Sequence, residues 1–394
     1  MRATLIMLVV LGVSTPAFSE EWNHEIGIEG RHHWQSPLDK AQDDGGLSIH
    51  LQSEYYTRWD EGRQSFTFKP FVRVDQVDSE RTHWDIREAV WVYAGDGWET
   101  RVGVDKVYWG VTEAYHLIDV INQSDILENP DEEQKLGQPM LKLSLERDWG
   151  IVDVYLLPYF RERQFPGTKG RFRSVPRTDS DQARYDNGLE ELYPSVAARI
   201  SSVVGDWDIG LAHFHGTSRE PRLTLGSDGG GNPVLIPNYD IIHQTSLDVQ
   251  AAIEEWLWKF EAAYRSGQGE SFAAATGGFE YTIVGTGGSD NDLGVLLEVM
   301  MDSRGNQSTS PFNHDVFLGL RWVANDAAGT ELLGGVVYDW ENGGKFFNLE
   351  ASSRLDDNLK ASLQMRAWSD IDRNDPGYSL HQDDYVEAKL TYYF

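Results

Sequence analysis

Hydrophobic and polar residues alternate along many stretches of this chain with a period of two. In residues 65–74, for example, Phe66 and Phe68 fall on one face, and Lys69 and Arg73 fall on the other. Successive side chains of a β-strand point to opposite faces, so this pattern predicts strands with one apolar and one polar face. About 18 such segments are predicted, and they begin near Asn23, Leu47, Ser65, Thr82, Trp98, Met140, Ile151, Pro194, Trp207, Gln244, Trp256, Phe272, Asp292, His314, Thr330, Phe346, Leu359 and Asp384.

The connections between these segments alternate between short and long. The longest are residues 111–138, 161–193, 217–243 and 369–382. An up-and-down barrel with all its short turns on one side needs this alternation and an even number of strands. The prediction is therefore an all-β fold, a transmembrane antiparallel barrel of about 18 strands, with about 16 as the next choice. A soluble β-sandwich or β-helix is the alternative fold.

The last predicted strand runs to the final residue, Phe394, with Val386 and Leu390 on its apolar face and Glu387 on its polar face. A terminal aromatic residue of this kind resembles the signature that bacterial outer-membrane barrels present to their assembly machinery. We therefore expect the barrel assembly machinery to bind Phe394. Aromatic residues also gather at strand ends, as interfacial girdles require, and they include Tyr108, Trp109, Trp207, Trp256, Trp258, Trp322, Tyr338, Trp340 and Tyr392.

The N-terminal segment predicts that the barrel is exported from the cytoplasm. Residues 1–19 are predicted to be a secretory signal peptide, because Arg2 precedes an apolar run and residues 17–19 form a small-x-small cleavage site. Residues 20–394 would then be one barrel domain with long extracellular loops in a Gram-negative outer membrane, against lipid and lipopolysaccharide. The net charge of −29 disfavours nucleic acid. The chain has no cysteine, and no metal or cofactor is expected.

If the apolar faces meet lipid, the polar faces line the lumen, because a charge on the lipid face costs about 2–4 kcal/mol at the midplane. Charges of both signs balance on these faces, so the acidic excess is expected in loops such as residues 129–135 and 369–384. The lumen charges predict either cross-strand ion pairs or a basic ladder that favours anions. The predicted pore-lining residues are Lys69, Arg73, Asp85, Arg87, Arg101, Asp105, Trp109, Lys142, Glu146, Arg199, Lys259, Glu261, Arg265, Arg321, Arg354 and Arg366.

One segment carries a family resemblance, through the residues Arg101, Gly103, Trp109, Gly110, Asp119, Val120, Ile121, Asn122 and Asp125. With them, residues 66–166 resemble a porin-like family of bacterial outer-membrane barrels that is distantly similar to alginate-export channels. Asp105 and Lys106 depart from the Arg-Gln pair usual in that family, and residues 123–124 replace its proline region. Some members lie beside inner-membrane transporters of the resistance-nodulation-division type. The resemblance therefore implies export of a lipid or hydrophobic solute with such a partner.

Two long loops are candidates for narrowing the pore. Residues 111–129 mix apolar and charged side chains, so this loop can fold into the lumen or pack on the extracellular rim. Residues 161–177 are basic in an acidic protein and can enter the mouth or pair with neighbouring acidic loops. The candidate constriction residues are Asp119, Asn122, Asp125, Arg161, Arg163, Arg171 and Arg173.

An enzyme is not predicted, and the enzymatic alternative rests on histidines near strand ends. His213 and His215 share a strand face, which suits a metal pair or a rim active site. Neither G-x-S-x-G nor H-E-x-x-H occurs in the chain. The predicted function is a channel or export conduit, with a barrel enzyme or a non-conducting structural or surface-binding barrel as alternatives.

Overall fold

The computed structural model describes residues 19–394 and contains 21 β-strands in that range. Eighteen of them form one sheet, and the other three form a separate small sheet. The strands are β1 Ser19–His33, β2 Gly45–Trp59, β3 Gln64–Asp75, β4 His83–Ala94, β5 Trp98–Asp105, β6 Gln138–Arg147, β7 Gly150–Leu157, β8 Arg184–Tyr185, β9 Ser195–Val204, β10 Trp207–Thr217, β11 Arg222–Ser227, β12 Pro233–Tyr239, β13 Ile241–Ile253, β14 Trp256–Gly267, β15 Gly269–Ile283, β16 Asp292–Asp302, β17 His314–Val323, β18 Glu331–Asp339, β19 Lys345–Arg354, β20 Leu359–Ser369 and β21 Tyr385–Tyr393.

The 18-stranded sheet closes on itself as an antiparallel up-and-down barrel. Each barrel strand pairs with the barrel strands next to it along the chain, and β1 pairs with β21 to complete the ring. At this seam the backbones of His24 and Phe394 exchange two hydrogen bonds of 3.0 Å. The predicted fold and strand number are therefore confirmed. The signal peptide predicted for residues 1–19 falls almost wholly outside the described residues and stays a prediction.

The connections fall on two sides of the barrel, as predicted. Residues 60–63, 95–97 and 148–149 make tight turns on one side. The other side carries the long connections, of which residues 106–137 and 158–194 are the longest. The small sheet belongs to this second side, because β12 pairs with β11 and with β8 in the long connections around it. The sequence pattern did not predict that hairpin.

The outer face of the barrel is apolar. Ile28, Leu211, Leu318 and Leu320 each keep about half of their surface exposed there. A continuous band of exposed apolar side chains is the surface that a membrane-spanning barrel presents to lipid. Trp109, predicted for an aromatic girdle, is instead only 4% exposed, because it lies inside the barrel. Among residues 19–394, no helix is long and apolar enough to cross a membrane.

The inner face is not polar throughout, although the polar faces of the strands were predicted to line the lumen. On β9, β10, β14 and β15, buried apolar side chains point inward. They belong to one cluster with the long connection between β5 and β6. Many of them are small, which leaves room for that connection inside the barrel. The inward members are Ala197, Ala212, Phe214, Ala263, Phe272 and Ala274.

The lipid face predicts the cost of a misplaced charge. Leu318 lies in the middle of β17 on the outer face, and Val204 lies on the same face at the turn end of β9. Leu318→Arg should lower the free energy of unfolding by about 2–4 kcal/mol, and the matched Val204→Arg by about 0–1 kcal/mol. Urea unfolding in lipid vesicles measures both values, and equal costs would place the outer face in water.

Candidate functional site: a loop across the lumen

Residues 106–137, called the inward loop below, leave β5, cross the inside of the barrel and return to β6. The first half of this loop packs on the apolar inner face of the wall. Trp109, Leu117, Ile118 and Ile121 are at most 7% exposed and share a cluster with the inward side chains of β6 to β15. The ring of Trp109 meets that of Tyr155 edge-on at 5.7 Å. The loop therefore lies in the lumen and not on the rim.

A carboxylate of the wall holds the turn of the inward loop. Glu261 is fully buried on β14 and accepts hydrogen bonds from the backbone N–H groups of Val111 and Thr112, at 2.7 and 2.9 Å. The Thr112 hydroxyl and the Ile118 N–H donate to it as well, at 2.7 and 3.2 Å. Gly110 has a φ of +126°, and a Cβ there would stand 2.8 Å from Glu261 Oε1. Glycine is therefore required for this close approach.

A second wall carboxylate binds the next part of the loop. Glu298 on β16 accepts from the N–H groups of Glu113 and Ala114, at 2.8 and 2.9 Å. The Glu113 carboxylate then pairs with Arg321 at 2.8 Å and with Lys259 at 3.5 Å. The inward loop thus reaches the wall opposite the strands from which it departs.

The second half of the loop returns along a charged wall. Asp125 pairs with Arg87 on β4 at 2.6 Å, and Glu128 pairs with Arg73 on β3 at 2.5 Å. Arg73 also contacts Glu29 on β1 at 3.0 Å. Burial opposes ionisation of Glu128, but the neighbouring guanidinium groups outweigh it and lower its pKa to about 2. Glu128 therefore remains charged at any physiological pH.

The acidic segment 129–135 is part of a loop, as predicted, but this loop lies inside the barrel. Asp131 pairs with Arg366 on β20 at 2.6 Å. The Asn129 amide donates to Gln364 Oε1 on the same strand at 2.9 Å. Part of the acidic excess of the chain is therefore carried into the lumen and is neutralised there by arginines of the wall.

Asp119 and Asn122 link the inward loop to its own first and last residues. Asp119 pairs with Lys135 at 3.3 Å, and both side chains are buried. Asn122 accepts from the Val107 N–H at 2.9 Å and donates to the carbonyl of Leu136 at 2.9 Å. These side chains join the outgoing and returning strands of the loop. Their function in narrowing the pore stays a prediction.

The basic loop, residues 158–194, does both things that the sequence allowed. Arg163 pairs with Glu132 of the inward loop at 3.0 Å. Arg161 pairs with Asp85 on the inner wall at 2.9 Å. Further out, acidic residues of neighbouring loops pair with the other two candidate constriction arginines. Those pairs are Arg171 with Asp383 at 2.6 Å and Arg173 with Asp39 at 2.8 Å.

Most predicted pore-lining cations are already paired with carboxylates. Lys142 contacts Asp153 at 3.2 Å, and Arg199 contacts Asp248 at 2.5 Å. Two predicted residues, Glu146 and Arg354, lie exposed at the turn ends of β6 and β19. The remaining pairs within 3.3 Å are Lys69–Glu54, Lys69–Glu88, Arg101–Glu99, Arg101–Asp105, Arg265–Glu220, Arg321–Glu280 and Arg366–Glu350. Their role in permeation stays a prediction.

A cavity of about 390 Å³ remains between the inward loop and the inner face of β17 to β20. One side of it is aromatic and aliphatic, with Tyr115, Phe312, Phe317, Leu333 and Phe346. Sequence reasoning missed this surface because it assigned apolar residues to the lipid face. A signal was present in β17, where Phe317 interrupts the polar side of an alternating strand.

The histidines considered for a rim active site lie on the outer face. His213 is exposed and bonds the Thr245 hydroxyl at 2.9 Å, and His215 stacks on His243 with ring centroids 4.2 Å apart. No group of His213 or His215 with two further metal-ligating side chains occurs within the described residues 19–394. Their position on the apolar side of the wall separates them from the lumen.

Solved structures of porins share the barrel. A triple mutant of the Rhodopseudomonas blastica porin is 11% identical, with 95% of this chain and 100% of that chain covered and a TM-score of 0.47. A second mutant of that porin is 12% identical over the same shares, with a TM-score of 0.47. No protein-family model matches the chain, and no curated protein matches it. At this level the likeness adds nothing to what the strand pairing shows.

Removing the Glu261 carboxylate should release the inward loop. Glu261→Ala leaves several buried donors without an acceptor, each at a cost of about 1–3 kcal/mol. States in which the inward loop is detached from the wall should therefore become at least about tenfold more populated. Single-channel current should then become larger and noisier. Glu54→Ala is the matched control, because Glu54 pairs with Lys69 and touches no part of the loop. Unchanged current in a folded Glu261→Ala barrel would contradict this anchoring role.

Proposed function

We propose that this chain is an outer-membrane channel that passes a small solute through the lumen beside the inward loop. The observation that carries the proposal is the cavity of about 390 Å³ left between that loop and β17 to β20. A purely structural barrel gains nothing from an interior loop that fills one side and leaves the other open. The apolar outer band supports a position in the membrane.

The charges of the lumen favour a structural role for its arginines over an anion-conducting ladder. Arg73, Arg87 and Arg366 each pair with a carboxylate of the inward loop, at 2.5 or 2.6 Å. A guanidinium held in this way has its charge compensated. We therefore expect the channel to be narrow and without strong preference for anions.

The export direction rests on sequence resemblance. Residues 66–166 resemble a family in which some members lie beside resistance-nodulation-division transporters. We propose on that ground an inner-membrane transporter as partner and a lipid or hydrophobic solute as cargo. The apolar side of the cavity, with Phe317 and Phe346, is compatible with such a cargo. An enzymatic role is not proposed, since the candidate histidines His213 and His215 face away from the lumen.

Planar-bilayer recording of the purified barrel tests the channel. We expect small ohmic steps, with a conductance well below that of an 18-stranded barrel whose lumen is empty. Deleting residues 112–131 should raise the conductance severalfold. If neither the intact chain nor the deletion variant conducts while both are folded, the channel proposal is wrong and a non-conducting barrel takes its place.

The cation preference of the channel should rise with pH. Enclosure in the lumen and repulsion from Asp131 and Glu350 raise the pKa of Glu133 to about 7. Glu133 is therefore neutral at pH 5.5 and adds a negative charge to the cavity at pH 8.5. The ratio of cation to anion permeability, taken from reversal potentials, should increase about twofold over this range. Glu133→Gln should reduce this dependence, and an equal rise in that variant would assign it to other groups of the cavity.

A further inference from the structure

The apolar side of the lumen cavity has a flat aromatic floor. Phe317 points inward from β17, and its ring lies over Gly319 and Gly335, which are direct cross-strand partners on β17 and β18. A Cβ on these glycines would come within 2.6 and 2.3 Å of the ring. The inner wall therefore presents only backbone at Gly319 and Gly335, and the Phe317 ring lies flat against it. Phe346 and Leu333 extend the same surface.

Carboxylates stand directly above that floor, toward the long-loop side. Asp315 lies two residues before Phe317 on the same face of β17, and its cross-strand partner is Asp339 on β18. Like charges placed opposite each other destabilise a sheet unless something compensates them. Within the described residues 19–394, neither carboxylate has a basic group within ion-pair distance.

Among the described residues, one of the four oxygens of these two carboxylates, Asp315 Oδ1, accepts no hydrogen bond. Asp315 is 3% exposed, and its Oδ2 accepts from the N–H groups of Asn313 and His314, at 2.7 and 3.1 Å. No donor reaches its Oδ1 within the described part of the chain. Among residues 19–394, the Asp339 carboxylate accepts hydrogen bonds only from Glu341 and Asn342. A nine-tenths buried carboxylate with a vacant oxygen therefore lines the cavity beside an aromatic ring.

The basic residues of the cavity do not supply the missing charge. Arg366, Arg265 and Arg163 are paired with Asp131, Glu220 and Glu132. Lys135 and Lys345 are paired with Asp119 and Asp370. Arg219 turns its guanidinium to the backbone carbonyls of Ile121 and Thr217. None of these basic groups is therefore directed at Asp315 or Asp339.

We propose that the lumen cavity binds an amphipathic organic cation, with its apolar body on Phe317 and its ammonium group at Asp315 and Asp339. This inference rests on the proposed channel function and narrows the proposed hydrophobic cargo to a small solute that carries a positive charge. A cavity of about 390 Å³ is at the small end of ligand sites and holds a body of roughly one ring with a short chain. The aromatic floor also attracts the cationic group itself. A neutral solute would leave the carboxylate pair uncompensated, and a bare metal ion would leave the aromatic floor unused.

Current block in planar bilayers tests the solute class. Phenylethylammonium should reduce single-channel current at concentrations about tenfold below those at which 2-phenylethanol or 3-phenylpropionate act. Asp315→Asn and, separately, Asp339→Asn should raise the half-blocking concentration of the cation about tenfold. Phe317→Ala should raise it as well. Asp153→Asn is the matched control, because Asp153 pairs with Lys142 on β6 outside the cavity. Phenylethylammonium should block this variant at the same concentration as the unsubstituted protein.

The outcomes separate this inference from the channel proposal. Folding of each variant is checked by its heat-modifiable mobility, and the second aspartate variant stands in if the first does not fold. Ohmic current that the cation and the neutral alcohol block equally would overturn the cation site and keep the channel. Equal block by magnesium ions and phenylethylammonium would also overturn it, because only the acidic pair would then matter. A silent barrel that still binds the cation by calorimetry, with binding lost in Asp315→Asn, would keep the site and overturn the channel.

Discussion

The carboxylate of Glu261 fixes the course of the inward loop, and the rest of the lumen depends on that course. Backbone N–H groups inside a protein need acceptors, and a loop that crosses a barrel has no strand ladder to provide them. Glu261 and Glu298 act as those acceptors from the wall, for residues 111–114 and 118. Gly110 permits the approach because no side chain separates its backbone from Glu261. The position of the remaining cavity follows from where these acceptors stand.

The charges of the lumen are best understood as two halves of one structure. Arginines of β3, β4 and β20 face carboxylates that arrive on the inward loop, as in Arg73–Glu128 and Arg366–Asp131. Removing either partner of such a buried pair leaves an uncompensated charge, which is far more costly than losing a surface ion pair. The strongly acidic net charge of −29 is therefore compatible with a lumen in which most charges are neutralised. The basic residues of the strands therefore anchor the inward loop, and this structural role takes precedence over the selection of a solute.

Sequence reasoning reached the barrel but not its interior. Period-two alternation located the 18 barrel strands because one face of most strands differs from the other in polarity. The same signal is silent where both faces are apolar, as at Ala212 and Phe214 on β10, so the apolar inner wall was not predicted. The contact of Thr112 with Glu261 joins residues 149 positions apart, and no local pattern reports such a contact. Gly110 entered the sequence analysis only through a family resemblance, although its close approach to Glu261 gives it a physical reason.

The inward loop divides the lumen unequally. Its first half forms an apolar core with β6 to β15, where small side chains such as Ala197 and Ala263 make the wall thin enough to accept it. Opposite that core, Gly319 and Gly335 again present no side chain to the lumen. The space beside them is filled only by the ring of Phe317. Glycine in a strand costs stability, so two of them facing each other indicate that the room they leave is used. The open side of this barrel is thus shaped by its own strands, while the closed side is shaped by the loop.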